Sequence, residues 1–476
     1  MTSSTVEPDG KPTMTLIATC MGFLLVMFDT TAVNFALPSV SASFGAQLHQ
    51  LQWVVDAYNI AFAALLITGG TLGDRYGRRR LFRAGILLFT AGSIACAASP
   101  DINILIASRV VQGVGAGLLL PQSLTILAAS FPAGSARNRA MAAWSIVGGV
   151  GLAAGPSIGA AIVDLFSWRT LFWINFPIGV LGLWLTGRFI AESRSERPRA
   201  LDPVGQGLII GTLAATTYVI VNGPWMGGVV PTLVIGALAV AGAVGFVFHE
   251  QRHTDPMLPL GLLRRGQLPV ASAVAACMTF GMFGLFMVVP IAFTSVRGVS
   301  VLQAGAYLMP LPAAFILLSS VAGRIATRTG PRTPMVGGTF LMGLGIFLFA
   351  AVGPSAPAVV LEIAFVLAGT GLALNTGPVM ALAVSAVPLD SAGIASGVAN
   401  TARMIGATLG VAVQGALLTV FSSSIADTAE SNAVRIALAV GAGAEFLGML
   451  IAIRFVRTPT TLTTSYNQTG QGKVRT

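Results

Sequence analysis

Gly70-Thr71-Leu72-Gly73-Asp74-Arg75-Tyr76-Gly77-Arg78-Arg79-Arg80 lies between two long apolar segments, 51–72 and 81–98. A burst of charge between two membrane-length runs reads as a tight loop on a membrane surface. Its four arginines, Arg75, Arg78, Arg79 and Arg80, place that loop on the cytoplasmic side by the positive-inside bias. Gly77 lets the backbone turn where a side chain would clash. Asp74 stands alone among cations. It reads as an acceptor for a neighbouring helix N-terminus or for an arginine fork.

Working outward, the chain is 54% hydrophobic and only 9% charged, where a soluble protein carries roughly 25% charged residues. This is the composition of an all-α polytopic membrane protein. The apolar run from Met14 to Pro38 is too long for a signal-peptide core and has no convincing cleavage site, so it is expected to stay as the first span. A net charge of +10 would suggest nucleic acid in a soluble protein. Here the cations fall in loops that share one side, from Lys11 through Arg137, Arg139, Arg188, Arg194, Arg197, Arg199, Arg252, Arg264, Arg265 and Arg324 to the tail. The charge therefore encodes topology, and no nucleic-acid partner is expected. Arg109, Arg169, Arg297, Arg403 and Arg435 do not fit that pattern. Cys20, Cys96 and Cys277 sit inside apolar runs, with neither a disulfide framework nor metal-ligand spacing, so no metal site is expected.

A bilayer core needs about 20 apolar residues per helix, which divides the chain into about fourteen spans grouped as six, two and six. The expected organisation is a cytoplasmic tail 1–13, a six-span bundle 14–190, a linker 191–268 carrying two extra spans near 204–222 and 230–249, a second six-span bundle 269–456, and a cytoplasmic tail 457–476. An even number of spans puts both termini on the same side. Gly323 to Arg332 is a worn copy of the first charged loop, with Thr327 where the aspartate should be. Two homologous halves with a site near the midplane are a common transporter design. The extra pair has no counterpart in that duplication and is expected to pack outside both bundles.

The motifs carry a more specific resemblance. Gly-x-Leu-x-Asp-Arg-x-Gly-Arg-Arg-x-Leu, from Gly70 to Leu81, resembles the loop 2–3 signature of the major facilitator superfamily. Asp29-Thr30-Thr31-Ala32-Val33-Asn34-Phe35-Ala36-Leu37-Pro38 is similar to the span 1 signature of its drug:proton antiporters. Arg109 to Gly117 resembles the span 4 signature, in which a buried arginine is thought to serve proton coupling. Gly151, Gly155, Pro156 and Gly159 match the antiporter motif of span 5, with Ala160 where a second glycine is usual. Trp168 to Gly179 and Asn400 to Gly406 resemble patterns of the fourteen-span family. The resemblance spans residues 14 to about 456. It implies the major facilitator fold, two six-helix bundles plus two extra transmembrane helices, with loop 2–3 (Gly70, Asp74, Arg75, Gly77, Arg78) as a conformational latch.

Physical chemistry supplies the candidate site residues. An aspartate in mid-membrane costs about 2.5–3.5 kcal/mol on insertion scales. Asp29 therefore either faces a cavity and titrates, or ties span 1 to a neighbour. Arg109 can lower a nearby carboxylate's pKa or form a purely structural pair. Asp56, near the outer surface, can take protons from outside or snorkel to the headgroups. Glu445 lies mid-run and is either a second protonation site or paired with another helix; Glu362 is close enough to a span end to be solvated. Asn34, Gln112, Asn375 and Arg403 are candidate cavity groups, Arg403 alternatively structural. Some of Met278, Phe280, Met282, Phe283, Phe286 and Met287 can line an adaptable apolar cavity. Pro156 invites a bend.

The expected function is proton-coupled export of drugs, antibiotics or other hydrophobic or cationic small molecules by alternating access, in a bacterial cytoplasmic membrane. The alternatives are a dedicated exporter or importer of one metabolite, or a non-transporting receptor or scaffold. No Walker-type glycine loop occurs, so no nucleotide cofactor is expected and the proton gradient is the energy source. The bilayer, protons and the substrate are the partners; oligomeric state is not encoded legibly. Asp29→Asn is expected to abolish coupled efflux and leave folding intact.

Overall fold

The computed structural model describes residues 12–132, 134–195, 201–223, 229–253, 256, 258, 261, 266–387, 392–422 and 429–457. Most of both tails and the linker cations Arg197, Arg199, Arg264 and Arg265 lie outside the described residues. Every described element is helical. The first half holds α1 (Pro12–Phe44), α2 (Leu48–Tyr76), α3 (Arg78–Ala97), α4 (Ile102–Ser130), α5 (Ser135–Leu165), α6 (Trp168–Trp173) and α7 (Asn175–Phe189). A hairpin follows, α8 (Pro203–Asn222) and α9 (Val229–Arg252). The second half holds α10 (Leu268–Ser295), α11 (Val301–Leu308), α12 (Pro310–Thr329), α13 (Arg332–Val352), α14 (Ala358–Ser385), α15 (Ala392–Ser422) and α16 (Ala429–Phe455).

Among the described residues, 12 helices are long and apolar enough to cross a membrane, and two bent pairs, within α2 and α5, raise the figure to as many as 14. Helices α6 and α7 together make one crossing, Trp168–Phe189, as do α11 and α12, Val301–Thr329. The sequence reading ended span 2 near residue 72. Instead α2 runs on to Tyr76 and α3 starts at Arg78, so Gly77 is the whole connection. Its φ of 111° is one that L side chains rarely adopt, which explains why glycine is required there. Gly330, at φ 78°, and Pro331 make the corresponding two-residue link between α12 and α13, so the worn loop copy keeps a positive-φ glycine at its turn.

The two halves repeat the same packing. Helix α3 pairs with α4, α2 with α4 and α1 with α5; in the second half α13 pairs with α14, α12 with α14 and α10 with α15. The halves meet through α1 and α10, α2 and α15, and α5 with α11 and α12. Gln52 of α2 donates to the Ala412 carbonyl of α15 at 2.9 Å, and Gly305 of α11 lies against Ala160 and the Pro156 carbonyl of α5. These contacts lie at mid-depth and toward the face opposite loop 2–3.

The hairpin packs outside both bundles, beside their seam. Helix α8 touches α2 and α15. Its Gln206 bonds the Ala64 carbonyl and Thr68 of α2, and its Tyr218 meets Trp53. Trp53 of α2 thus packs against the hairpin. Helix α9 is covered mainly by α8, and only 11% of its span is buried within the protein, so most of it faces lipid.

Three arginines left over from the charge pattern are also explained. Arg169 donates to the Ser99 carbonyl at 3.0 Å, Arg297 to those of Pro354 and Ala356, and Arg435 to that of Ala351. All these acceptors lie at or just beyond the ends of α3 and α13, where carbonyls lack helical partners and attract cations.

Candidate functional site

Asp29 and Arg109 meet inside the first half. Both side chains are 0% exposed, and Arg109 Nη1 lies 2.5 Å from Asp29 Oδ2. The same Nη1 donates to Gln112 Oε1 at 2.7 Å, and Nε donates to the Val54 carbonyl at 3.0 Å. The guanidinium carbon sits 4.2 Å from the Tyr58 ring centroid, a cation–π contact. Tyr58 OH in turn lies 3.1 Å from Thr30 Oγ1. The other aspartate oxygen, Oδ1, accepts from Gln112 Nε2 at 3.2 Å and Asn175 Nδ2 at 3.3 Å. Both amides also donate to Ser93 Oγ at 2.8 Å.

Five spans therefore converge on one carboxylate: α1, α2, α3, α4 and the crossing made by α6 and α7. An isolated ion at such depth costs several kcal/mol. A close pair with its remaining lone pairs satisfied offsets much of that. Asp29, Arg109 and Gln112 were legible as polar residues inside apolar runs. Ser93, Asn175 and Tyr58 were not singled out. Serine is common in membrane helices, and Asn175 was visible only within a longer pattern.

The span 5 motif packs directly against Asp29's helix. A Cβ on Gly159 would stand 2.8 Å from that of Ala32, and one on Gly155 would collide with Thr31. Gly151 lies against Leu24 and Met27. Helix α5 bends by 41° between Arg139–Leu152 and Ala154–Leu165. Pro156 has no N–H for the carbonyl four residues before it, that of Leu152. Thr31 Oγ1 donates to that carbonyl at 3.1 Å. The bond lost to proline is supplied by span 1, two residues from Asp29.

Leu152 and Pro156 also line a narrow apolar cleft between the halves, with Met282 and Phe286 of α10, Phe315 of α12 and Leu372 of α14. Two of the suggested cavity residues, Met282 and Phe286, are thus in place.

Asp56 is 0% exposed, which removes the snorkelling alternative. Neither of its oxygens has a hydrogen-bond partner among the described residues. It lies one turn beyond Gln52, the residue that bonds α15 across the seam. Glu445 is also 0% exposed with both oxygens unpartnered among the described residues. It packs on the bare Cα of Gly281, where a Cβ would stand 2.6 Å from Oε1. Asn375, buried in α14, has no partner for its amide among the described residues. Asn34 turns back on its own helix, donating to the Thr31 carbonyl at 3.2 Å. The Arg403 backbone carbonyl accepts from Thr279, and its Nε has no partner among the described residues. Glu362 is exposed, as expected.

Loop 2–3 resolves the choice posed by Asp74. It accepts from Arg78, Nη2 at 2.8 Å and Nε at 3.1 Å, the arginine alternative. The loop also grips the chain after α7. Glu192 accepts from the Arg79 and Arg80 backbone N–H groups at 3.0 and 3.2 Å, and Ser195 N–H donates to the Asp74 carbonyl.

Two pseudo-equivalent helical bundles around a midplane cleft, with buried charge in one of them, define a membrane transporter rather than an enzyme. The chain belongs to the major facilitator superfamily: residues 19–411 match the family model of that description. It is 36% identical over 412 residues to Multidrug resistance protein Stp of Mycobacterium tuberculosis (strain CDC 1551 / Oshkosh), covering 86% of this chain and 76% of that protein. It is 34% identical to the Methylenomycin A resistance protein of Streptomyces coelicolor, covering 93% of this chain and 92% of the relative. Among solved structures, a D-xylose-proton symporter shares the fold, with a TM-score of 0.67 at 16% identity over 94% of this chain and 98% of that one.

Proposed function

We propose that this protein is a fourteen-span, proton-coupled exporter of hydrophobic or cationic small molecules. It sits in the cytoplasmic membrane of a bacterium with both termini inside, and it uses no cofactor. The observation that carries this reading is the continuous path from the apolar cleft to the buried charge. The cleft is lined by Leu152 and Pro156, Thr31 bonds the Leu152 carbonyl, and Asp29 lies half a turn away in the Arg109 network.

In this reading the two bundles rock about the cleft. Ligand and proton must bind the two states unequally for either to drive the other. A substrate pressing on the α5 bend disturbs the seat of Asp29, and protonation of Asp29 weakens its hold on Arg109 and Gln112. The membrane potential supplies about 2.3 kcal/mol per charge per 100 mV, to which a pH gradient adds. Asp56, at the seam, receives the proton, and Glu445 is a second acid in the other half. Loop 2–3 is bound within its own half here, which fits a latch that engages the other half in the alternate state. The names of the two relatives, one for multidrug and one for methylenomycin A resistance, support drug export. The second name also supports a dedicated exporter of one compound.

Purified protein in vesicles with an imposed pH gradient, challenged with lipophilic cations and antibiotics, tests this. Proton release triggered by several unrelated compounds, and lost in Asp29→Asn, is the expected result. A response to one compound alone would establish the dedicated exporter. Undiminished coupling in Asp29→Asn at normal abundance would remove Asp29 from the mechanism.

A further inference from the structure

The chain has only three histidines, and two of them, His249 and His253, come together with Asp202 at one end of the α8–α9 hairpin. One ligand atom from each lies within 4.8 Å of the others. His249 and His253 are one helical turn apart, the His253 N–H still bonding the His249 carbonyl at 2.9 Å, so both rings project from one face. Their ring centroids are 5.2 Å apart. Asp202 comes from 47 residues earlier, at the N-cap of α8.

The carboxylate is the informative member. Asp202 is 6% exposed. Its Oδ1 accepts from Gly205 N–H at 2.8 Å and faces His249 Nε2 at 2.7 Å. Its Oδ2 is buried with no hydrogen-bond partner among the described residues. A buried carboxylate with an oxygen that lacks a donor has lone pairs to offer a cation.

We infer that Asp202, His249 and His253 form a site for a divalent transition metal, zinc(II) foremost, that clamps the two ends of the hairpin together. Two imidazoles at i and i+4 with one carboxylate are ligands of the right softness for zinc. Tetrahedral coordination at about 2.0–2.1 Å from the metal places ligand atoms about 3.3 Å apart. The Asp202–His249 pair has to open slightly from 2.7 Å and His253 to close in. The fourth position is left to water. Glu250, 3% exposed with Oε1 unpartnered among the described residues, stands beside the cluster and can accept a bond from a coordinated water. The clamp closes where the linker from the first half enters α8, one turn before Gln206 anchors that helix on α2.

The test uses full-length protein carrying a non-histidine affinity tag, purified in detergent and stripped with chelator. Zinc(II) is titrated in competition with a chromophoric chelator, cobalt(II) is added for its visible ligand-field bands, and thermal unfolding is followed with and without metal. The expected result is one zinc per chain, tetrahedral-type cobalt bands and a raised midpoint of unfolding. His253→Ala, which leaves the Asp202 cap in place, should weaken zinc at least tenfold and abolish the midpoint shift. His49→Ala should change neither. Each variant's metal-free unfolding is compared with the metal-free parent, so a folding defect is read separately from lost binding. No saturable zinc binding, or binding unchanged in His249→Ala/His253→Ala, would reduce the cluster to an Asp202–His249 ion pair and overturn the assignment. Because the readouts are binding and unfolding, failure here leaves the transport proposal untouched.

Discussion

Each half of this transporter buries an acid at its centre, and the two are treated in opposite ways. Asp29 has Arg109, Gln112 and Asn175 on its two oxygens. Glu445, equally inaccessible, has none among the described residues, and the buried polar residue of the neighbouring fourth span is the neutral Asn375. The fifth helices differ too. Helix α5 carries Pro156 and bends by 41°, whereas α15 has no proline and passes as one span, Ile394–Phe421. Duplicated packing therefore does not mean duplicated function. The first half concentrates the charge, the bend and the hydrogen bond that connects them. The second provides a matching wall for the cleft and an acid with no hydrogen-bond partner among the described residues.

The comparison can be broken most forcefully at Arg109. Arg109→Met leaves the Asp29 carboxylate buried without its cation, a loss of about 3–5 kcal/mol for one member of a buried pair. Thermal unfolding in detergent should show it. The same reasoning revises the expectation that Asp29→Asn leaves folding intact, since it strands Arg109 in turn. The double variant Asp29→Asn/Arg109→Met should recover most of the stability and none of the proton coupling. Full recovery of coupling would assign the pair to structure alone.

A smaller effect is expected at the contact between α1 and α5. Gly159→Val places methyl groups against the Ala32 backbone and should cost about 1–3 kcal/mol by overpacking. The corresponding readout is a fall in transport greater than any fall in abundance. Next comes Thr31→Val, which keeps the shape but leaves the Leu152 carbonyl without its donor, at about 1–3 kcal/mol. If drug-triggered proton release survives Thr31→Val unchanged, the cleft and Asp29 are not linked through that bond. The mildest change is Glu445→Gln. It preserves volume and removes no partner, so stability should move by less than about 1 kcal/mol. A destabilisation as large as that of Arg109→Met would show that Glu445 carries a compensated charge and would erase the contrast between the halves.

Much of this was legible in the sequence. Hydropathy pointed to the long helices, 12 of which, or up to 14 with the bent pairs, are apolar enough to cross a membrane among the described residues, because a bilayer demands long apolar runs. Asp29, Arg109, Gln112 and Glu445 stood out because a polar group there is costly. The partners were harder to see. Ser93 and Tyr58 are ordinary residues in membrane helices, and only the packing of α3 and α2 against α4 turns them toward the charge. Asn34, a candidate cavity group, donates to the Thr31 carbonyl while its Oδ1 has no partner among the described residues, and periodicity does not distinguish such a local bond from a long-range one. The loop between α2 and α3 appeared longer than the one residue it is, because charge marks the membrane surface and not the end of a helix. The Asp202–His249–His253 cluster was invisible for a different reason. Asp202 lies 47 residues before His249, and ligand spacing is readable only when the ligands are close in sequence.

The Thr31 bond has a mechanical corollary. A proline bend in a lone helix is a loose joint, free to flex about its missing link. Here the link is lent by the adjacent helix, so α1 and α5 mesh at the bend through one hydrogen bond. The carboxylate rides two teeth away from the point of engagement. A change in the α5 bend is thereby felt on the helix that carries Asp29, through a single hydroxyl.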